Sequence, residues 1–166
     1  MPNRQTAMVM AFGDLVADVA TSSGQKYPLG TRREEEGKVY RYVSMETGTG
    51  AVAAIAGNLA YHVDGLWDVT MDVSDVDRNL VAGVFLSVIA DEGYGWIQTG
   101  GRHATVKTNG DDDIAKGDAV IASAAGDGTA DSTAQDTAPI CRVVGWAVAA
   151  DVDADNTVDT FLCLDV

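Results

Sequence analysis

Trp67-Asp68-Val69-Thr70-Met71-Asp72-Val73 alternates apolar and polar residues throughout, the period of two expected of a strand with one buried face. Trp67, Val69, Met71 and Val73 fall on one side, and Asp68, Thr70 and Asp72 on the other. A slip of one residue would bury both aspartates, so the pattern itself fixes the inward face and turns Asp68, Thr70 and Asp72 to solvent.

The same grammar extends in both directions. Upstream, Val39-Tyr40-Arg41-Tyr42-Val43 is a β-branched and aromatic run behind Gly37, and Leu59-Ala60-Tyr61-His62-Val63 is another that runs into the turn pair Asp64-Gly65. Between them residues 51–57 are alanine-rich and compatible with a helical turn. Downstream, residues 81–90 are almost continuously apolar with Gly83 inside, which predicts a strand buried on both faces with a bulge at the glycine. Asp91-Glu92-Gly93-Tyr94-Gly95 turns the chain into Trp96-Ile97-Gln98-Thr99, which Gly100-Gly101 closes. His103-Ala104-Thr105-Val106-Lys107-Thr108 follows and ends at Asn109-Gly110, a strong turn signal. The last third reads as a strand over 119–123, a polar loop over 124–138, a strand from 140 to about 149 and a final strand over 158–164.

Short strands at this spacing, with no sustained 3.6-residue period, predict a mainly β protein. It is expected to form a single β-barrel or β-sandwich-like domain with an extended N-terminal arm. The arm covers residues 1–36, where turn residues crowd 21–30 and a helix over 9–20 is marginal because Gly13, Val9, Val16 and Val19 oppose it. The β-rich body covers residues 37–166. An internal echo links Ile55-Ala56-Gly57-Asn58-Leu59-Ala60 with Ile114-Ala115-Lys116-Gly117-Asp118-Ala119. In both, the Gly-Asn or Gly-Asp pair is expected to make the tight turn that launches the next strand.

Charge divides the 166 residues unevenly. Residues 1–50 hold six basic and six acidic side chains, so the whole formal charge of −14 lies downstream. An acidic body disfavours nucleic acid, whose affinity comes chiefly from Lys and Arg on phosphate. A neutral segment is better suited to touch another protein. No apolar run approaches the ~20 residues of a membrane span. Arg4 alone ahead of Ala7-Met8-Val9-Met10-Ala11-Phe12 makes a poor secretory signal, and Gly13-Asp14 interrupts the stretch. Cys141 and Cys163 are too few for a disulfide scaffold and are expected as free thiols packed like small hydrophobes.

Catalytic signatures are sparse. His62 and His103 sit inside predicted strands without a nucleophile elbow, and no phosphate loop ending in Gly-Lys-Ser or Gly-Lys-Thr occurs. The alternating Asp151, Asp153 and Asp155 resemble the start of a calcium loop, but Asn156 stands where that loop needs Gly and Leu162 where it needs a bidentate Glu. Those three aspartates are the weak metal candidates, and an acidic turn between the last two strands is the preferred reading. No enzymatic activity and no cofactor are expected.

Three stretches resemble a known family: Gly93-Tyr94-Gly95-Trp96-Ile97-Gln98-Thr99-Gly100-Gly101, Ile114-Ala115-Lys116-Gly117-Asp118-Ala119-Val120, and Arg142-Val143-Val144-Gly145-Trp146-Ala147-Val148-Ala149 with the terminal strand. They look like the glycine-aromatic-Gln strand, the Gly-Asp turn and the closing hairpin of the small β-rich capsid decoration, or cement, proteins encoded beside the major capsid protein in many tailed phages. The resemblance covers roughly the last 75 residues and rests on short glycine-based motifs. It implies a virion protein on the capsid exterior, made in the host bacterial cytoplasm, whose partners are the major capsid protein and, as a homotrimer, itself. It carries over no catalytic residues, and neither nucleic acid nor membrane is an expected partner. In this reading the neutral arm supplies the capsid contacts, with Arg4, Met8, Met10, Phe12, Lys26, Tyr27, Arg32 and Arg33 as the candidates. The alternative is a receptor- or glycan-binding head or tail fibre domain, which exposed aromatic loops would favour. Trp67, Trp96 and Trp146 all fall in predicted strands instead, pointing to core or subunit contacts.

Overall fold

The computed structural model describes residues 21–46, 53–63, 67–74, 76, 80–110, 114–123, 126–133, 143–151 and 156–164. Eleven strands occur in chain order: β1 (Thr21–Ser22), β2 (Arg32–Glu35), β3 (Lys38–Met45), β4 (Leu59–His62), β5 (Asp68–Thr70), β6 (Val81–Phe85), β7 (Tyr94–Lys107), β8 (Ala119–Ala122), β9 (Ala130–Thr133), β10 (Val143–Ala147) and β11 (Thr157–Cys163). Among the described residues there is no helix, and all strands join one mixed sheet. The mainly β class and the sandwich-like packing are as the sequence predicts.

The pairing path closes on itself twice. β3 pairs with β5 in parallel; β5 pairs with β4, β4 with β6, β6 with β7 and β7 with β3, all antiparallel. From the far half of β7 the path runs through β11, β10, β8 and β9, and a parallel bridge between Thr108 and Ala130 returns it to the end of β7. The 14-residue β7 therefore belongs to both circuits. Closure leaves fewer unpaired backbone groups than an open sheet of this length would.

The two circuits follow one plan, and the echo noticed in the sequence marks where it starts. In the first, Gly57 N donates to Phe85 O at 2.9 Å and Phe85 N to Asn58 O at 2.9 Å; in the second, Gly117 N donates to Ala147 O at 2.8 Å and Ala147 N to Asp118 O at 2.9 Å. Gly57 and Gly117 both sit at positive φ, 88° and 92°, which glycine adopts without a Cβ penalty. Leu59 and Ala60 pair with Val84 and Gly83 as Ala119 and Val120 pair with Trp146 and Gly145, and the register shifts at the same next step in both. The contacts that end the pairings, one antiparallel and one parallel in each circuit, match as well. Met45 N donates to Gly93 O and Glu46 N to Val69 O, while Thr108 N donates to Asn156 O and Asn109 N to Ala130 O.

Three clusters fill the sheet. Val43, Met45, Ala60, Val69, Phe85 and Ile97 pack inside the first circuit. Val120, Val144, Ala147, Val158 and Leu162 on the inner face of the second lie against Leu59, Tyr61, Val81 and Val84 on the outer face of the first. Tyr40, Tyr42 and Trp96 form the third, beneath Tyr27 and Leu29. Each such large side chain, fully buried, stabilises the fold by roughly 1.5–3 kcal/mol relative to exposure.

Several expectations need correction. The alternating stretch is a strand only over Asp68–Thr70, and Thr70 and Asp72 are 2% and 6% exposed, not solvent-facing. The turn over 126–129 lies over this end, with Asp127 Oδ1 accepting from Val73 N at 3.2 Å; Asp72 closes a local turn by accepting from Ser74 N and Oγ at 2.8 and 2.6 Å. Gly100-Gly101 kinks a strand instead of ending one: Gly101, at φ 80°, sits where β7 changes partners and continues to Lys107. The polar stretch 124–138 contains β9, which Ala-Asp-Ser-Thr does not announce because its pairing comes from the 126–129 turn, with Thr129 Oγ1 donating to Gly126 O at 2.9 Å. Residues 53–57 make a turn, not a helical one. Cys163 is exposed, contrary to the packed thiol expected; Cys141 and the segment over 9–20 lie outside the described residues.

Candidate functional site

Residues 21–35 lie on the sheet at both ends. β1 adds to β7 with Thr21 opposite Gly95 and Ser22 opposite Tyr94, and β2 forms a hairpin with β3 in which Glu35 opposes Lys38. The two-residue loop, Glu36-Gly37, has φ of 50° and 75°, the signature of a type I′ turn whose twist matches the strands.

Between these ends one side chain holds the segment. The buried Tyr42 hydroxyl accepts from Lys26 N at 3.0 Å and shares a hydrogen bond with Ser22 Oγ at 3.1 Å. Its backbone contributes two more, Gly30 N to Tyr42 O at 2.7 Å and Tyr42 N to Thr31 O at 3.0 Å. Tyr27 stands edge-on to Tyr42 at 5.2 Å and tilted on Trp96 at 5.4 Å, separations typical of favourable aromatic pairs.

A second post stands beside it. Arg41 lies over the Trp67 ring with its guanidinium carbon 5.1 Å from the centroid and donates from Nη1 to Gly30 O at 3.1 Å. His62 packs edge-on against the same Trp67 ring, with centroids 5.1 Å apart. Trp67 has φ of 73°, a left-handed conformation that costs a bulky residue of order 1–3 kcal/mol and persists only where packing enforces it. A Cβ on Gly30 would meet the Trp67 indole nitrogen at 2.4 Å, so this position admits only glycine.

Of the predicted contact residues, Arg4, Met8, Met10 and Phe12 lie outside the described residues. Lys26 and Arg32 are exposed on the clasped segment, Tyr27 packs half-buried on the aromatic cluster, and Arg33 pairs with Glu35 at 2.8 Å. Arg32 is also paired, with Glu34 at 2.5 Å. Both arginines are thus balanced by their own hairpin, and Lys26 is exposed on the same segment. Asp151 is half-buried with its N–H donated to Ile114 O at 2.9 Å; Asp153 and Asp155 lie outside the described residues. Among the described residues no three His, Cys, Asp or Glu converge as a metal site would require.

An open cleft of about 720 Å³ runs between the clasped segment and the sheet, lined in part by Gln25, Leu29, Glu46, Asp68, Glu92 and Tyr94. The three carboxylates give it an acidic rim, and Asp68 accepts a hydrogen bond from Ser44 Oγ. Across the molecule, burial and the nearby Lys38 ammonium push the His103 imidazole down to about 4, against a smaller opposing pull from Asp159. Its Nδ1 accepts from Thr105 N at 3.3 Å, consistent with a neutral ring. Nothing in the sequence marks the Arg41–Trp67–His62 post; the left-handed Trp67 is a product of tertiary packing. The turn residues around Pro28 and Gly30 were the available signal for a fixed loop.

No family model matches the chain, and no curated protein matches it. Among solved structures the chain is similar to the head fibre gp8.5 N base of bacteriophage phi29, with 16% identity and a TM-score of 0.49, covering 77% of this chain and 96% of that one. No functional weight falls on a match of that degree.

Proposed function

We propose that the chain is a structural, non-catalytic virion protein, a decoration subunit that binds the outer surface of an assembled major capsid protein shell and stabilises it. The observation that carries this reading is the anchoring of a charge-balanced segment on an acidic body. Residues 21–35 are held by Tyr42 and by strand pairing at both ends, which fixes Thr21 beside β7. That segment carries the exposed Lys26 and Arg32, whereas residues beyond 50 hold all of the −14. A balanced arm can lie on a protein lattice while the acidic body keeps neighbouring copies soluble and apart. Repetition over many sites then turns modest single-copy affinity into stable coverage. The three glycine-based stretches that resemble the decoration family support the same reading.

The test mixes purified protein with emptied, undecorated phage heads and measures added density by cryo-electron microscopy. Saturable, stoichiometric density on the outer surface is expected. Deletion of residues 1–20 is the informative truncation, because a cut at residue 30 would also remove the strand pairing of Thr21 and the clasp on Tyr42. The shortened protein should keep its circular dichroism and lose binding. Binding as tight as that of the full chain would refute the role given to the arm, and no density at all would refute the function.

A further inference from the structure

The second circuit closes on an asparagine. Beyond the bridge between Thr108 and Ala130, Asn109 N donates to Ala130 O at 3.2 Å. The Asn109 side-chain nitrogen, Nδ2, donates to Ser123 Oγ at 3.3 Å and lies 3.5 Å from Asp131 Oδ2. Ser123 follows β8 and Asp131 belongs to β9, so one amide ties the end of β7 to both strands. The other oxygen of Asp131 accepts from Ser132 N at 2.7 Å, which leaves Oδ2 to the amide. Gly110 follows, exposed and at φ of 77°. A Cβ there would lie 2.9 Å from Asn156 Oδ1, so the turn packs closely on the residue before β11. Of the five asparagines, Asn3, Asn58, Asn79, Asn109 and Asn156, Asn109 alone precedes a glycine. With no Cβ in the way, the peptide nitrogen of that glycine is open to the asparagine side chain.

We propose that Asn109 is a deamidation site gated by the second circuit: it is kept intact while the circuit is closed, reacts when the circuit opens, and then resists reclosure. In the reaction the Gly110 nitrogen loses its proton and attacks Asn109 Cγ. The new N–C bond forms as the Cγ–Nδ2 bond breaks, and ammonia leaves carrying that proton. Water, the one co-reactant, then opens the cyclic imide to an aspartate or to its β-linked isomer. Both side-chain contacts to Ser123 and Asp131 run through the nitrogen that is expelled, so the closed circuit stabilises the reactant and slows the step. The product reverses the sign of the latch. A carboxylate in place of the amide offers Ser123 and Asp131 no donor and sets a second negative charge against Asp131 Oδ2, an arrangement that like charges oppose. The β-linked isomer also lengthens the backbone by one methylene between Asn109 N, held on Ala130 O, and Gly110, packed on Asn156. The inference is independent of capsid binding, and either can fail without the other.

The full chain, aged at mildly alkaline pH with and without denaturing urea and followed by peptide-mapping mass spectrometry, tests it. Asn109 should be the first asparagine converted in urea, and its rate in the folded protein should be lower by about tenfold or more, because reaction then waits on rare local openings. The converted protein, separated by ion exchange as the more acidic species, should unfold at a lower urea midpoint than the unreacted one. Asn109→Asp should lower the midpoint likewise, and adding Asp131→Asn to that variant should recover most of the loss, which separates charge opposition from the loss of a hydrogen bond alone. The comparison of aged with unreacted protein needs no variant and stands if a substitution prevents folding. Equal rates in the folded protein and in urea, earlier conversion of another asparagine, an unchanged midpoint after conversion, or no recovery with Asp131→Asn would each overturn the proposal.

Discussion

Gly83 and Gly145 occupy the same place in the two circuits, each pressed against a carbonyl of the following strand. A Cβ on Gly83 would lie 2.8 Å from Gln98 O, and one on Gly145 would lie 2.2 Å from Phe161 O. The obstacle is backbone in both, so neither position can relax by moving a side chain tip.

Gly145→Ala should therefore destabilise the protein by about 2–3 kcal/mol, the upper part of the range for overpacking. Gly83→Ala should cost less, since its contact is longer. Urea unfolding midpoints for the two variants check both the magnitude and the order.

Tyr42→Phe removes the hydroxyl that joins Ser22 Oγ and Lys26 N. The expected loss is about 1 kcal/mol, the usual net worth of a hydrogen bond. Amide exchange at Lys26 should accelerate while that of β7 stays slow, which separates release of the clasp from general unfolding.

The His103 imidazole is held near 4 by burial and by Lys38, against an ordinary value of 6.5. The unfolded chain thus binds the extra proton first, and stability rises with pH between those values. It is fully present above 6.5 and declines as pH falls toward 4. His103→Gln should flatten that decline by an amount on the order of 2 kcal/mol, measured as the difference in unfolding free energy between pH 7 and pH 4. An imidazole titrating near 6.5 by NMR would contradict the assignment.

Glu36 occupies the first position of the type I′ loop at φ of 50°, where Asn is favoured and a long side chain is strained. Glu36→Asn should stabilise the hairpin by about 0.5–1 kcal/mol, raising the melting temperature by a few degrees. Calorimetry reads this directly.

What could be read ahead of the structure follows from where the determining contacts lie. Residues 39–43, 59–62, 81–85, 119–122 and 157–163 announce themselves because β-branched and aromatic side chains fill both or alternate faces of a strand. β2 and β9 do not, since Arg-Arg-Glu-Glu and Ala-Asp-Ser-Thr owe their pairing to the tight turns beside them. The burial of Thr70 and Asp72 depends on the turn over 126–129, more than fifty residues away, and local alternation carries no trace of it. For the candidate surface, the charge partition was legible but the pairing of Arg32 and Arg33 within their own strand was not. The echo at Gly57 and Gly117 was visible as two turns; that whole circuits repeat behind them required the register.

Because β7 completes one circuit and opens the next, the described strands offer no internal seam at which they could be divided. A fragment ending at residue 110 would expose Leu59, Tyr61 and Val84 to water, and one beginning at Gly95 would have no first circuit to rest on. The two repeats should therefore melt together, in a single transition whose calorimetric and van't Hoff enthalpies agree, despite a plan that looks modular.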